Sequence, residues 1–226
     1  MNQFLTKLSK KKVIADNVVE LHFTRPDDMQ FQAGQFMQFL IPDGEKITPR
    51  SYSIASTPKD GDLVFCVKLL DNGLASTHFQ NMNEGDEIEA KGPMGRFVCN
   101  EEATTHVFIA TGAGLAPIMG MIRDELENKQ FSGGIELLFG VRAEKDVFWT
   151  DKLDALTNDH ANFSYKLCLS QPEGESKALT GRVTAHLGDI DPSKHYYLCG
   201  SGAMVMEVRK MLTEGGVDAK KIHFEI

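Results

Sequence analysis

The feature that most constrains this chain is a change of pattern near residue 100. Before it, short apolar or β-branched runs at 11–15, 18–23, 35–41 and 62–70 are separated by turn residues such as Arg25-Pro26-Asp27, Ala33-Gly34, Pro42-Asp43-Gly44 and Asp71-Asn72-Gly73. Such runs, reversed every few residues, predict antiparallel strands in a small barrel or sandwich. After residue 100, apolar runs at 106–110, 134–141, 163–169, 195–199 and 222–225 alternate with helical stretches. The helices are expected near 117–129 and 151–156, and again where Val205, Val208 and Leu212 share one face ahead of Gly215-Gly216. Parallel strands need crossover connections, so this order predicts a parallel sheet covered by helices. The expected fold is therefore α+β in two domains. An antiparallel β-barrel occupies residues 1–100, and a doubly wound α/β parallel-sheet domain occupies 101–226. The polar stretch Cys99–Thr105 holds the boundary.

Composition narrows the function classes. With 42% hydrophobic and 25% charged residues the chain is neither disordered nor fibrous. A net charge of −8 argues against nucleic acid or an anionic membrane as partner, since both attract basic patches. Lys10-Lys11-Lys12 reads as a solvated strand edge. No apolar stretch approaches the ~20 residues of a membrane helix, and no secretory leader is visible, so no membrane insertion and a cytoplasmic location are expected. Cys66, Cys99, Cys168 and Cys199 lie far apart with no C-x-x-C pair, so no protein-held metal or iron–sulfur centre is expected.

One loop carries ligand chemistry. Ala110-Thr111-Gly112-Ala113-Gly114-Leu115-Ala116-Pro117 joins a strand to a helix. Its glycines allow a sharp turn and a close backbone approach, and the helix start offers free N–H groups to a phosphate. A plain tight turn has the same sequence. The loop departs from G-x-G-x-x-G because Pro117 replaces the third glycine, and the next strand ends at Arg142 where a dinucleotide fold of the usual kind would want an acid.

Four further motifs stand in order around it. Arg50-Ser51-Tyr52-Ser53 is read as opening a strand, and Lys91-Gly92-Pro93-Met94-Gly95-Arg96-Phe97 closes the first half. Leu198-Cys199-Gly200-Ser201-Gly202-Ala203-Met204 starts the last helix, and Phe224-Glu225 comes near the end. Together with Thr111-Gly112-x-Gly114-x-x-Pro117, this ordered set resembles the ferredoxin–NADP⁺ reductase-like flavoprotein family along essentially the whole chain.

The resemblance implies a flavin-binding barrel, a nicotinamide-nucleotide domain, and the flavin ring in the crevice between them. It implies that Arg50, Tyr52 and Ser53 bind flavin: a guanidinium for phosphate, a ring to stack, and a hydroxyl near N5. Val67-Lys68 and Gly73-Leu74-Ala75-Ser76-Thr77 correspond to the segment that meets the pyrophosphate, which favours FAD over FMN. Gly92-Pro93-x-Gly95 is read as structural. Thr111, Gly112, Gly114, Pro117, Gly200 and Met204 fall to the nicotinamide nucleotide. Arg142, Ser170, Lys177 and Arg182 are placed to meet its phosphates or to be ordinary surface residues. Gln171 stands where NADP-preferring relatives often have Arg, which leaves NADH and NADPH both open. Cys199 is expected beside the nicotinamide C4 and flavin N5 as a positioning residue. Glu225 is expected to hold the nicotinamide or pass a proton, and Phe224 to be core. Ile226 follows where many relatives place an aromatic residue over the flavin.

The expected function is an NAD(P)H-dependent flavoprotein reductase. It passes a hydride to bound FAD, and electrons then go to a redox protein such as a ferredoxin, a flavodoxin or an oxygenase component. The rival readings are an electron-transfer subunit that works only in a larger complex, a free flavin reductase, and a purely structural module. Oligomeric state is left open.

Overall fold

The computed structural model describes residues 2–174 and 176–226. In the first half, β1 (Asn2–Ala15), β2 (Val18–Thr24), β3 (Phe36–Asp43), β4 (Lys46–Ser53) and β5 (Asp62–Lys68) are followed by helix α1 (Leu74–Asn81) and β6 (Glu87–Met94). The strands form one antiparallel sheet in the order β4-β3-β6-β1-β2-β5. A bridge between Ile54, just past β4, and Phe65 of β5 joins the outer strands and closes the sheet into a barrel. Phe23, Phe39 and Phe65 fill its interior, and Phe79 of α1 packs edge-on against Phe39 with ring centroids 5.4 Å apart.

Two sequence expectations are corrected here. Arg50–Ser53 ends β4 and does not open a strand. That strand is exposed along most of its length and carries Pro49, so it shows no apolar alternation. Proline is tolerated because β4 takes ladder hydrogen bonds from β3 alone. Lys11 is also more than a solvated edge residue: its ammonium donates to the carbonyls of Phe79, Gln80 and Met82 at the C-terminal end of α1.

The second half runs β7 (Thr105–Thr111), α2 (Leu115–Arg123), β8 (Gly134–Val141), α3 (Thr150–Asp159), β9 (Phe163–Leu169), β10 (Leu179–Thr180), β11 (His195–Cys199), α4 (Gly202–Glu214) and β12 (Ile222–Glu225). All strands are parallel, in the order β10-β9-β8-β7-β11-β12. From β7 the chain builds outward in one direction to β10, then returns to place β11 and β12 on the other side. The carboxyl ends of β7 and β11 therefore flank the point where strand order reverses, which is where such sheets hold ligands. Helix α2 starts two residues before Pro117 and widens after Arg123 into a π-type turn, Asp124–Asn128.

An apolar cluster runs from one half into the other, with Val18, Ala55, Cys66 and Phe97 on the barrel side against Leu115, Met121, Phe148 and Trp149. Helix α2 lies directly on barrel backbone. A Cβ at Gly120 would sit 3.1–3.3 Å from the carbonyl oxygens of Ile54, Ala55 and Ser56. Arg123 from the same helix pairs with Asp60 at 2.7 Å. Gly34 is tighter still, with φ +97 and a would-be Cβ 1.9 Å from the Phe97 carbonyl oxygen. Gly34→Ala is thus expected to cost about 3 kcal/mol or more. Gly85→Ala, with φ +100 but open space around it, should cost about 1 kcal/mol. Urea unfolding of the two variants checks this, and equal losses would contradict the assigned clash.

Candidate functional site

The site begins where β7 and β11 end side by side. Thr111 is the last residue of β7 and Cys199 the last of β11. The loops leaving them interlock at glycine distance. A Cβ on Gly114 would lie 2.3 Å from the Cys199 carbonyl oxygen, and one on Gly200, whose φ is +145, would lie 2.1 Å from Thr111 Oγ1. The Ser201 N–H donates to Thr111 Oγ1 at 3.0 Å, and Ser201 Oγ in turn accepts from the Met204 N–H to cap α4. Gly112 has φ +53 with nothing within 4 Å of its would-be Cβ, so its open face looks into the cleft.

From the adjacent strand, Glu225 is in register with Cys199. Its carboxylate crosses to the barrel, where Ser53 Oγ donates to Oε2 at 2.7 Å. Burial pushes the Glu225 carboxyl above its ordinary value, and the Ser53 hydrogen bond opposes this only in part. Burial, with the Glu225 charge beside it, pushes the Cys199 thiol up to about 12. Cys199 is thus a protonated, compact side chain and not a nucleophile at neutral pH.

These groups line one cleft of about 1470 Å³ between the halves. Of the residues named from sequence, Tyr52, Ser53, Lys68, Thr111, Gly112, Gly114, Pro117, Arg142, Ser170, Arg182, Cys199, Gly200, Met204 and Glu225 all line it. Arg142 and Arg182 are exposed and form no ion pair among the described residues. Val67 does not line it: its side chain is fully buried in the barrel core, which leaves only its backbone for a ligand.

Arg50 and Gly73–Thr77 lie outside the cleft lining. Arg50 is exposed and donates only to the Pro49 carbonyl, leaving its guanidinium without a carboxylate among the described residues. Ala75 and Ser76 are buried, and Ser76 Oγ accepts from the Leu70 N–H, so the Ser76 hydroxyl is committed to its own turn. What that segment offers a phosphate is the start of α1, which has no side-chain cap, and the exposed Thr77. Phe224 is not core: it is 40% exposed beneath Arg209, whose guanidinium carbon sits 4.0 Å from the ring centroid. Ile226 lines the cleft mouth.

Motif reading missed Phe36, Phe148 and Lys145, which also line the cleft. They come from the start of β3 and from the turn after β8, and only the packing of the halves brings them in. Cys99, His106 and Glu125 gather ligand atoms within 4.8 Å of one another. Lys129 already supplies the cation there, 2.8 Å from Glu125 and 3.4 Å from Asp124.

Residues 5–99 match the oxidoreductase FAD-binding domain, and residues 108–210 match the oxidoreductase NAD-binding domain. The chain is 31% identical to ferredoxin–NADP reductase B of Sorangium cellulosum, over 98% of this chain and 96% of that one. The chain belongs to the ferredoxin–NADP reductase family of flavoproteins. It is also 28% identical to the electron transfer component of toluate 1,2-dioxygenase from Pseudomonas putida, covering 88% of this chain but only 59% of that protein. Among solved structures, it superposes on the Amycolatopsis cytochrome P450 reductase GcoB with TM-score 0.90 at 25% identity, over 99% of this chain and 69% of that one. A ferredoxin NADP⁺ reductase from Neisseria gonorrhoeae, solved with FAD and NADP bound, shares the fold with TM-score 0.89 at 22% identity, over 99% and 98% of the two chains. No helix of the described residues is long and apolar enough to cross a membrane.

This family's cofactor fits the residues present. The open face of Gly112, the unpaired Arg50 guanidinium and the uncapped start of α1 are places where anionic groups and a planar ring find partners without displacing protein contacts. The thiol environment gives a direct check. All four cysteines are free, and burial raises each above its ordinary value, Cys168 to about 11. Iodoacetamide at pH 8 should therefore leave the Cys199 peptide unmodified in native protein and alkylate it in urea. Rapid labelling of native Cys199 would contradict the assigned burial.

Proposed function

We propose that this chain is an NAD(P)H-dependent reductase that delivers electrons to a redox protein, a ferredoxin, a flavodoxin or an oxygenase component. The observation that carries the reading is the meeting of Ser53, Cys199 and Glu225 in a cleft between an FAD-binding and an NAD-binding domain. FAD, when bound, would supply the hydride acceptor and the onward electron donor, and every other requirement falls to the protein.

Arg50 and the start of α1 neutralise the FAD phosphates, while Tyr52, held at 5.4 Å from Phe79 in an edge-on contact, presents its ring and hydroxyl to the flavin. The open Gly112 backbone and the loop to Pro117 take the nucleotide phosphates, with Arg142, Ser170 and Arg182 along the same wall. Cys199 lines the cleft as a compact side chain that would let a nicotinamide approach the flavin without a steric wedge. The pair from Ser53 Oγ to Glu225 Oε2 orients the reacting edges, and the carboxyl, raised by burial, is the nearer to exchanging a proton at that hydroxyl. We take the boundary between the domains at 100/101, a reading supported by the gap between the end of β6 at Met94 and the start of β7 at Thr105. Four unpaired thiols suit a reducing cytoplasm.

Arg50→Ala is expected to weaken FAD retention roughly tenfold to a hundredfold, the loss of one charge-assisted contact. Cys199→Ala should keep the flavin and slow its reduction. Flavin content after gel filtration and stopped-flow absorbance read the two effects separately, and an unchanged value in either would remove that role. Reduction of ferredoxin or flavodoxin by NADH or NADPH, coupled to cytochrome c, tests the onward step. A protein that reduces free FAD or FMN but neither carrier protein would favour the free flavin reductase instead.

A further inference from the structure

Strand β2 carries an acid where both neighbours are buried. Val19 and Leu21 point into the barrel, so Val18 and Glu20 face the second half. Glu20 is 5% exposed. Its Oε2 accepts from the indole N–H of Trp149 and, at 2.6 Å, from Lys152 Nζ, while Oε1 accepts from His22 Nε2 at 2.9 Å. Trp149 and Lys152 belong to the start of α3, so two of the three donors come from the nucleotide-binding half.

Trp149 makes this contact from a left-handed backbone conformation. Its φ is +60, a left-handed conformation unfavourable to a bulky side chain, and Lys152 sits 4.8 Å from the indole centroid. Burial would push the Glu20 carboxyl up, but the His22, Lys152 and Trp149 hydrogen bonds and the Lys152 charge outweigh it and hold the group at about 2. The carboxyl is therefore ionised at neutral pH.

Its location gives it a role. Glu20 is in register with Cys66 on β5, and Cys66 and Val18 line the barrel wall of the cleft. Phe148, adjacent to Trp149, lines the opposite wall. Glu20, Trp149 and Lys152 do not line the cleft themselves, so the contact joins the halves next to lining residues of both. We propose that Glu20, through Trp149 and Lys152, is a positioning residue for hydride transfer: it sets the separation of the two halves and hence the approach of nicotinamide to flavin. This rests on the hydride transfer proposed above, and that step is acutely sensitive to small displacements.

Trp149 is the sole tryptophan of the chain, so its emission in the flavin-free protein reports the contact. The test compares wild type with Glu20→Gln, Trp149→Phe, Lys152→Met and the Glu20→Gln/Trp149→Phe double variant. Four quantities are read: FAD content, tryptophan emission and iodide quenching where Trp149 remains, single-turnover flavin bleaching at saturating NADH or NADPH, and the long-wavelength nicotinamide–flavin charge-transfer absorbance. Glu20→Gln should keep its FAD, shift Trp149 emission to the red with greater iodide access, bleach at least about tenfold more slowly, and lose charge-transfer absorbance. Trp149→Phe and Lys152→Met should show smaller losses of the same kind, and the double variant should be no slower than Glu20→Gln alone.

Wild-type bleaching and charge-transfer absorbance in a folded Glu20→Gln protein would overturn the proposal, whatever its thermal stability. If Glu20→Gln fails to fold, Trp149→Phe and Lys152→Met decide the matter, and wild-type values in both overturn it. A wild-type protein that neither nucleotide bleaches overturns the underlying hydride reading instead, and is recognised because the unmutated protein is then inert.

Discussion

The hydrogen bond from Ser53 to Glu225 joins the last residue of a barrel strand to the last residue of a sheet strand, 172 positions apart in sequence. The functional reading depends on that closure. It requires the barrel and the parallel sheet to meet with their strand ends facing, and other features of the fold serve it. Gly120 lets α2 rest on the barrel backbone, and Gly114 and Gly200 let the β7 and β11 loops interlock so that Cys199 comes beside Glu225. A side chain at Gly120 would push α2 off the barrel, and one at Gly114 or Gly200 would force the β7 and β11 loops apart.

The polar contacts between the halves explain why this geometry is held. An apolar cluster runs across the interface, and apolar surface alone resists sliding only weakly because it is non-directional. The directional contacts include Ser53–Glu225, Asp60–Arg123, Asp16 with Lys145, and Glu20 with Trp149 and Lys152. A buried carboxylate such as Glu20 carries a desolvation cost that only well-placed donors offset, so shifting one half strands the charge. Such contacts give little net stability and much orientation, which suits a reaction between two planar rings held by different halves.

Much of the fold was legible before any coordinates. The parallel strands of the second half match the expected runs because, buried on both faces, they read as continuous apolar segments. Strand β4 was hidden because it is solvated and holds Pro49, and β10 because two residues carry no pattern. Within the site, the ordered motifs brought most of the cleft lining into view, since each sits at a strand end where backbone geometry demands particular residues. Val67 lies outside the cleft lining because alternation along β5 turns its side chain into the barrel, a register that a motif does not encode. Phe148 and Glu20 escaped notice because an aromatic and an acid inside ordinary runs acquire meaning only when the other half packs on them. Phe224 looked like core because its cover, Arg209, lies on α4 and leaves the ring half open.

The central claim is that this cleft brings a nicotinamide and a flavin into reacting distance. Anaerobic titration of the FAD-loaded protein with NADH and NADPH in parallel, followed by visible absorbance, tests it most directly. The account requires the yellow flavin bands to bleach stoichiometrically with at least one of the two nucleotides, and the effective one identifies the coenzyme. A protein that takes up no FAD, or whose bound flavin neither nucleotide bleaches, would contradict it.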